Sequence, residues 1–421
     1  MKEGPLAGIR VLDFTWAWAG PQGTLLLALL GAEVIKVESR RRLDHTRVRS
    51  LMAGPVLVSP DHSVIFSELN VGKLSVTLDL KQPRAVEIAR RLAGVCDVVT
   101  ENMRPGTLDR LGLGYEAMRA VKPDIVMVSS SAVGGTGPER TYVGYAPTFA
   151  ALGGLSSITG FPDGPPSPLS GAVDLRVGTT CALAVLAAVY HHRRTGEGQW
   201  VDISSTEAVS ALIGGAFMEY AVNGRVPTGD GNRHPTMAPH NCYPCLSGRQ
   251  ARWPEEGGPL WGEDGRRSVS IAVGSDEEWG ALCGVLGKAG LEHDPRFADV
   301  VSRWRHREEL DHIISEWTRE HTAQEAAEAL QRAGVAAMPV LDGAGLAQDA
   351  HLRERGVLET VDHPIIGSRL ALGPPWRLSD TPAAIRRPSP CLGEHNSYVL
   401  GELLGMADEE IEKLAREGVV T

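Results

Sequence analysis

Cysteine is scarce in this chain, with six residues among 421. So few thiols over such a length give no disulfide framework, and a cytoplasmic setting is the default expectation. Positive charge is not in excess either. The 42 Lys and Arg against 52 Asp and Glu leave a formal charge of −10, which argues against nucleic acid as a partner. The longest apolar run, residues 177–190, is too short for a bilayer and carries polar residues, so no membrane partner is expected. The opening MKEGPLAGIRVLDF leads straight into a strand pattern and lacks the order of a signal peptide. No GxGxxG follows that first strand, so a nicotinamide cofactor is not expected. Internal repeats and low-complexity tracts are also missing.

What remains is ordinary globular composition, 43% hydrophobic and 22% charged. The length exceeds one ordinary core, so about two domains are expected. Short apolar runs at 9–14, 33–38, 74–80, 97–100, 125–129 and 200–204 read as strands. Helical patterns stand between them, at 21–30, 83–93 and 115–120. Such alternation predicts an α/β fold with a largely parallel sheet covered on both faces. Ligands then bind beyond the carboxyl ends of the strands. After about residue 220 the texture changes to a stretch rich in Pro, Gly, His and Arg over 223–264, read as linker and loops. A strand at 268–273 and helices at 276–286, 306–320 and 323–333 follow, then a strand at 335–341 and a last helix at 408–417. The expected division is a large domain over 1–200, a linker at 201–225, a small α/β domain at 226–330, a linker at 331–345, and a return to the large domain over 346–421.

The most organised stretch is 165–208, PPSPLSGAVDLRVGTTCALAVLAAVYHHRRTGEGQWVDISSTEA. It sets Asp174 just ahead of an Ala-rich helix predicted over 176–192. On its own, Asp174 reads as an N-cap satisfying the first helical amides. Cys242-Tyr243-Pro244-Cys245, with His234 and His240 upstream, could suit zinc or redox chemistry. It lacks a second cysteine pair and a βαβ setting, so it reads as two ordinary cysteines, and no metal is expected.

The segments PLAGIRVLDF, GAEVIKVES, GKLSVTLDLK, DVVTENMRPGTLDRLGLGYE, GFPDGPP, AVDLRVG, RRTGEGQWVDIS and CLGEHNSYVLGELLG occur in one order over nearly the whole chain. In them the chain resembles the class III CoA-transferases, a family that also holds α-methylacyl-CoA racemase. The resemblance implies a Rossmann-like large domain built from both chain ends, a smaller inserted domain, and an interlocked homodimer. It places Asp174 on the catalytic aspartate, which attacks an acyl-CoA thioester and passes through mixed-anhydride and aspartyl-CoA thioester intermediates. It places the CoA contacts on Trp18, Ala19, Ser39, Arg40, Leu78, Asp79, Leu80, Lys81, Asn102, Met103, Arg104, Arg110, Ser130, Ser131, Ala132 and Val133. Coenzyme A enters as substrate thioester, with a carboxylic acid as the second substrate.

Several positions depart from the formate/oxalate branch of that family. Trp18 stands where that branch has glutamine, Arg49 where it has tryptophan, and its glycine loop is reduced to Gly257-Gly258. A guanidinium can grip a carboxylate through two parallel hydrogen bonds. Arg47 or Arg49 is therefore expected to hold the distal carboxylate of a dicarboxylic acceptor, with a succinyl-CoA-like donor. The rival reading is racemisation with Asp174 as acid and base. The residue at the position of the racemase histidine is Tyr145, and an ordinary phenol with a pKa near 10 is a poor base at neutral pH.

Overall fold

In the computed structural model, which describes residues 3–48, 59–246 and 267–421, the apolar runs form six parallel strands. These are β1 (Arg10–Asp13), β2 (Glu33–Glu38), β3 (Leu74–Thr77), β4 (Val98–Glu101), β5 (Val126–Ser131) and β6 (Trp200–Ser204), in the order β3-β2-β1-β4-β5-β6. Side chains alternate across a strand, and here both faces are covered. Leu12, Ile35, Val99 and Met127 enter one core with Leu92, Val399 and Leu414. Their neighbours Val11, Val34, Val98, Val126 and Val128 enter another with Val177, Val185 and Val189. Burial on both sides is why β1 and β4 carry adjacent apolar residues rather than a strict alternation. The edge of β3 is closed by the C-terminal segment, where the His395 N–H donates to Ser75 O at 3.0 Å and the Thr77 N–H to Asn396 Oδ1 at 2.9 Å. Occupying these groups leaves no open ladder for another chain.

Two helices on one face meet backbone to backbone. Helix Ala19–Leu29 follows β1, and helix Ser170–Thr195 precedes β6. A β-carbon on Gly178 would stand 2.8 Å from Ala19 O, and one on Gly23 would stand 2.9 Å from Gly178 O. Only glycine allows this approach. The buried stripe Val177, Cys181, Val185, Ala188 and Val189 continues the contact. Helix Ser170–Thr195 is long and apolar enough by composition to cross a membrane, yet this stripe lies in the core of the sheet unit.

The chain divides into two compact units. One comprises Met1–Ser157, Ser167–Pro227 and Ala350–Thr421; the other comprises Ile158–Pro166 and Thr228–Asp349. The second has a three-stranded antiparallel sheet, β7 (His240–Pro244), β8 (Ser268–Ala272) and β9 (Ala336–Pro339), in the order β7-β8-β9. Tyr243, Ile271, Trp279, Leu282, Phe297 and Leu330 fill its core.

These boundaries differ from the expected linkers. Residues 201–225 carry most of β6 and the helices Ser205–Ser210 and Gly214–Asn223, all in the first unit. Residues 331–345 supply β9, whose pairing with β8 ties them to the second unit. A hairpin in the first unit, β10 (Leu358–His363) with β11 (Gly367–Leu372), had no sequence prediction.

The CxxC lies on and just past β7 rather than in a loop. Cys242 is exposed and Cys245 buried. Along extended backbone, residues three apart point to opposite faces and sit about 10 Å apart, which prevents the two thiols from sharing a metal or a disulfide.

Candidate active site

Beyond the carboxyl ends of β1 to β5 lies a cavity of about 1160 Å³, whose described wall residues all belong to the sheet unit. It exceeds the roughly 300–1,000 Å³ of ordinary small-molecule pockets. Each strand contributes the segment that follows it, as parallel topology requires. The wall includes Trp16 to Ala19 after β1, Ser39, Arg41 and Arg42 after β2, and Leu78 to Lys81 after β3. After β4 come Asn102 to Pro105, Thr107 and Arg110, and the end of β5 supplies Ser130 to Ala132. Lys81, Arg104 and Arg110 are exposed cations in this wall, suited to phosphate. Glu38 and Asp79, also in the wall, are held by Arg47 at 2.7 Å and Arg41 at 3.2 Å.

Asp174 stands in the same wall. Its position corrects the N-cap reading. The helix begins at Ser170, with Leu169 as its left-handed N-cap (φ 44°), so Asp174 is already past the first turn. The partial positive charge of a helix start fades within that turn. Burial therefore dominates and pushes the carboxyl up to about 6. It remains mostly ionised at neutral pH while being poorly solvated, a state that favours nucleophilic attack.

The cavity brings together fourteen of the sixteen positions expected to contact CoA, together with Asp174 and Tyr145. Arg40 is not among the wall residues. Its side chain turns to Leu392 O at 3.2 Å, and its N–H bonds Thr421 Oγ1 at 3.1 Å. Val133 also lies outside the wall, past the point where the Thr206 N–H binds Ala132 O at 3.0 Å. Its neighbours Arg41 and Arg42 face the cavity instead. Trp16 and His45 were not predicted. Their rings meet edge to face at 5.9 Å between centroids, and the Arg42 guanidinium lies 4.4 Å over Trp16. A tryptophan in a strand-end loop was the available signal.

Arg47 cannot hold substrate. It is 1% exposed, and Nε and Nη2 grip Glu38 at 2.7 and 2.8 Å. Nη1 binds Asp61 at 2.8 Å, and the guanidinium covers the Phe66 ring at 3.5 Å. With its donors spent on the protein, its role is to fix the loop after β2. Arg49, Gly257 and Gly258 lie outside the described residues.

A doubly covered parallel sheet, with a long cation-bearing cavity at its carboxyl edge and a desolvated carboxylate in the wall, defines an α/β enzyme for a large anionic substrate. The chain belongs to CoA-transferase family III, whose family model matches residues 6–252 and 262–396. It is 34% identical over 419 residues to the succinyl-CoA–D-citramalate CoA-transferase of Chloroflexus aurantiacus, covering 99% of this chain and 98% of that one. It is 34% identical over 423 residues to the succinate–glutarate CoA-transferase of Agrobacterium fabrum, covering 98% of each. It is 33% identical over 434 residues to a formyl-CoA:oxalate CoA-transferase of Rhodopseudomonas palustris, covering 99% and 97%. The crystal structure of a CaiB/BaiF family protein from Brucella suis superposes with a TM-score of 0.81 at 31% identity, covering 96% of this chain and 100% of that one. The protein is therefore a CoA-transferase acting on CoA thioesters.

Proposed function

We propose that the enzyme moves CoA from a succinyl-like acyl-CoA to a dicarboxylic acceptor, with Asp174 as covalent nucleophile. An Asp174 oxygen attacks the thioester carbonyl, the C–S bond breaks, and CoA thiolate leaves behind a mixed anhydride. The thiolate then attacks the aspartyl carbonyl, expelling the donor acid as carboxylate and leaving an aspartyl-CoA thioester. The acceptor carboxylate attacks that thioester and releases the thiolate again. Final attack of the thiolate on the acceptor carbonyl yields the new acyl-CoA and restores Asp174. Splitting the exchange this way avoids direct attack of a weakly nucleophilic acid on a distant thioester.

The observation that carries the reading is Asp174 itself, a desolvated carboxylate in the wall of a cavity of about 1160 Å³. Its match to the family aspartate supports the role. Overall similarity does not choose the substrate, because succinyl-type and formyl-type relatives are nearly equally close. The local departures favour the succinyl side. Trp18 replaces the glutamine of the formate/oxalate branch within this wall. With Arg47 committed to the protein, Arg49 is the proposed grip for the distal carboxylate. The same reading includes an interlocked homodimer, an inserted small domain and a cytoplasmic location.

A panel of acyl-CoA donors and carboxylic acids, read by mass spectrometry for exchanged thioesters, tests the assignment. Hydroxylamine trapping during turnover should modify the peptide carrying Asp174, and Asp174→Ala should bind CoA yet lose exchange by several orders of magnitude. Arg49→Gln should raise KM for a dicarboxylate while sparing a monocarboxylate of similar length. Near-normal turnover by Asp174→Ala would remove the mechanism. Equal impairment toward both acids would remove the role of Arg49.

A further inference from the structure

Four consecutive backbone groups in the turn after β1 are each taken by a side chain from another part of the sheet. Lys36 Nζ donates to Thr15 O at 2.6 Å. Asn102 accepts from the Trp16 N–H at 2.7 Å and donates back to Trp16 O at 2.9 Å. Asp44 accepts from the Ala17 N–H at 3.3 Å. Lys36 and Asp44 are themselves buried and paired at 3.2 Å. The turn they hold is unfavourable by itself. Ala17 has φ +60°, a left-handed conformation that costs a residue with a β-carbon about 1–2 kcal/mol. Such a conformation persists only where its surroundings over-determine it.

The turn leads directly to the reaction site. Trp16, Ala17 and Trp18 all line the Asp174 cavity. The Trp18 ring also reaches the first turn of the Asp174 helix, with Cζ3 3.8 Å from where a β-carbon on Gly171 would stand. We propose that Lys36, Asp44 and Asn102 are positioning residues, which impose the left-handed turn at Ala17 and thereby set Trp16 and Trp18 against Asp174. For Asn102 this replaces the expected CoA contact, because Trp16 engages both ends of its amide. Burying an ion pair such as Lys36–Asp44 gains little stability over apolar packing, so its value lies in fixing one arrangement of the loop. The proposal rests on the reading of the Asp174 cavity as the active site.

The test compares Asn102→Ala, Ala17→Gly and the double variant. It measures kcat and KM for transfer, calorimetric affinity for free CoA, and hydrogen exchange of the Trp16 and Ala17 amides. Asn102→Ala should lower kcat by about tenfold or more through misplacement alone, with CoA affinity within about threefold of wild type. Exchange at both amides should accelerate. Glycine adopts φ +60° without strain, so adding Ala17→Gly should recover several-fold of the lost kcat, which general destabilisation would not produce. Asn102→Asp keeps the acceptor for the Trp16 N–H and loses the donor, so it should fall between wild type and Asn102→Ala, and it stands in if the alanine variant does not fold. CoA affinity falling in step with kcat, without recovery in the double variant, would make Asn102 a CoA ligand and overturn the proposal. Unchanged amide exchange would overturn it as well. If accelerated exchange appeared while Asp174→Ala remained active, the scaffold would stand and the active-site reading would fall.

Discussion

Asp174 shows how one side chain trades stability against reactivity. Burial pushes its carboxyl up to about 6, against about 3.9 in an unfolded chain. Below about pH 4 it is protonated in both states and makes no difference to stability. Between about pH 4 and 6 the unfolded chain releases the proton while the folded chain retains it, so stability falls as pH rises. Above about pH 6 the penalty is constant, at most about 3 kcal/mol. Asp174→Asn should therefore be inactive but more stable than wild type at pH 7.5, by about 1–3 kcal/mol in urea unfolding, with the advantage gone by pH 4. The first half-reaction of the wild type should rise through about pH 6 as the nucleophile ionises. Equal stability of the two proteins at pH 7.5 would show that the carboxylate is not desolvated. Arg47 is the opposite case at this scale. Its residue type suggested carboxylate binding, but sequence spacing cannot reveal that Glu38 and Asp61 already occupy the guanidinium.

At the scale of elements, the helix that carries Asp174 is seated by glycine. Asp174 and Gly178 are four residues apart and share a face, and Gly178 is the point of contact with helix Ala19–Leu29. Gly178→Val would press a β-carbon into Ala19 O and Gln22, both 2.8 Å away, and force the helices apart. It should cost about 1–3 kcal/mol by overpacking and reduce kcat by displacing Asp174 one turn upstream. Gly284→Ala, in helix Asp276–Val285 where a β-carbon meets nothing within 4 Å, is the matched control and should stabilise by up to about 1 kcal/mol. Wild-type stability and kcat in Gly178→Val would show that contact at Gly178 does not seat the helix. This crossing also marks what the sequence could convey. The strands were legible because β1, β2, β4 and β5 each carry adjacent buried apolar residues, such as Val11-Leu12, Val34-Ile35, Val98-Val99 and Val126-Met127-Val128. The helix start at Ser170 was missed because Leu169 caps it through backbone conformation, not through a Ser, Thr, Asp or Asn side chain. β7 was missed because its residues, His240 to Pro244, lack an apolar pattern, and only pairing with β8 makes them a strand. The Lys36–Asp44–Asn102 scaffold joins residues far apart in the chain, and no local spacing announces it.

At the scale of the whole molecule, the first unit leaves several large apolar side chains exposed. On helix Ser170–Thr195, Leu183 is 66% exposed and Tyr190 62%, and on helix Gly214–Asn223, Phe217 is 66% exposed and Val222 70%. Single exposed apolar residues are common, but several large ones on two helices are what a subunit interface would bury. This supports the proposed homodimer, with a solution mass about twice the 45.1 kDa of the chain. Interlocking adds a sharper expectation than dimerisation alone. Side-by-side subunits separate on dilution and exchange partners, because each interface opens without unfolding the chain. Linked subunits cannot part until one of them opens, so exchange is limited by the unfolding barrier. Two preparations carrying different affinity tags, mixed at nanomolar concentration under native conditions, should therefore yield no doubly tagged dimer over days. Brief partial unfolding in urea followed by refolding of the mixture should produce it. Doubly tagged dimer appearing within hours without denaturant would leave the dimer in place but remove the linkage. A monomeric mass at all concentrations would remove both, and the exposed faces of Ser170–Thr195 and Gly214–Asn223 would then need a different chain to cover them.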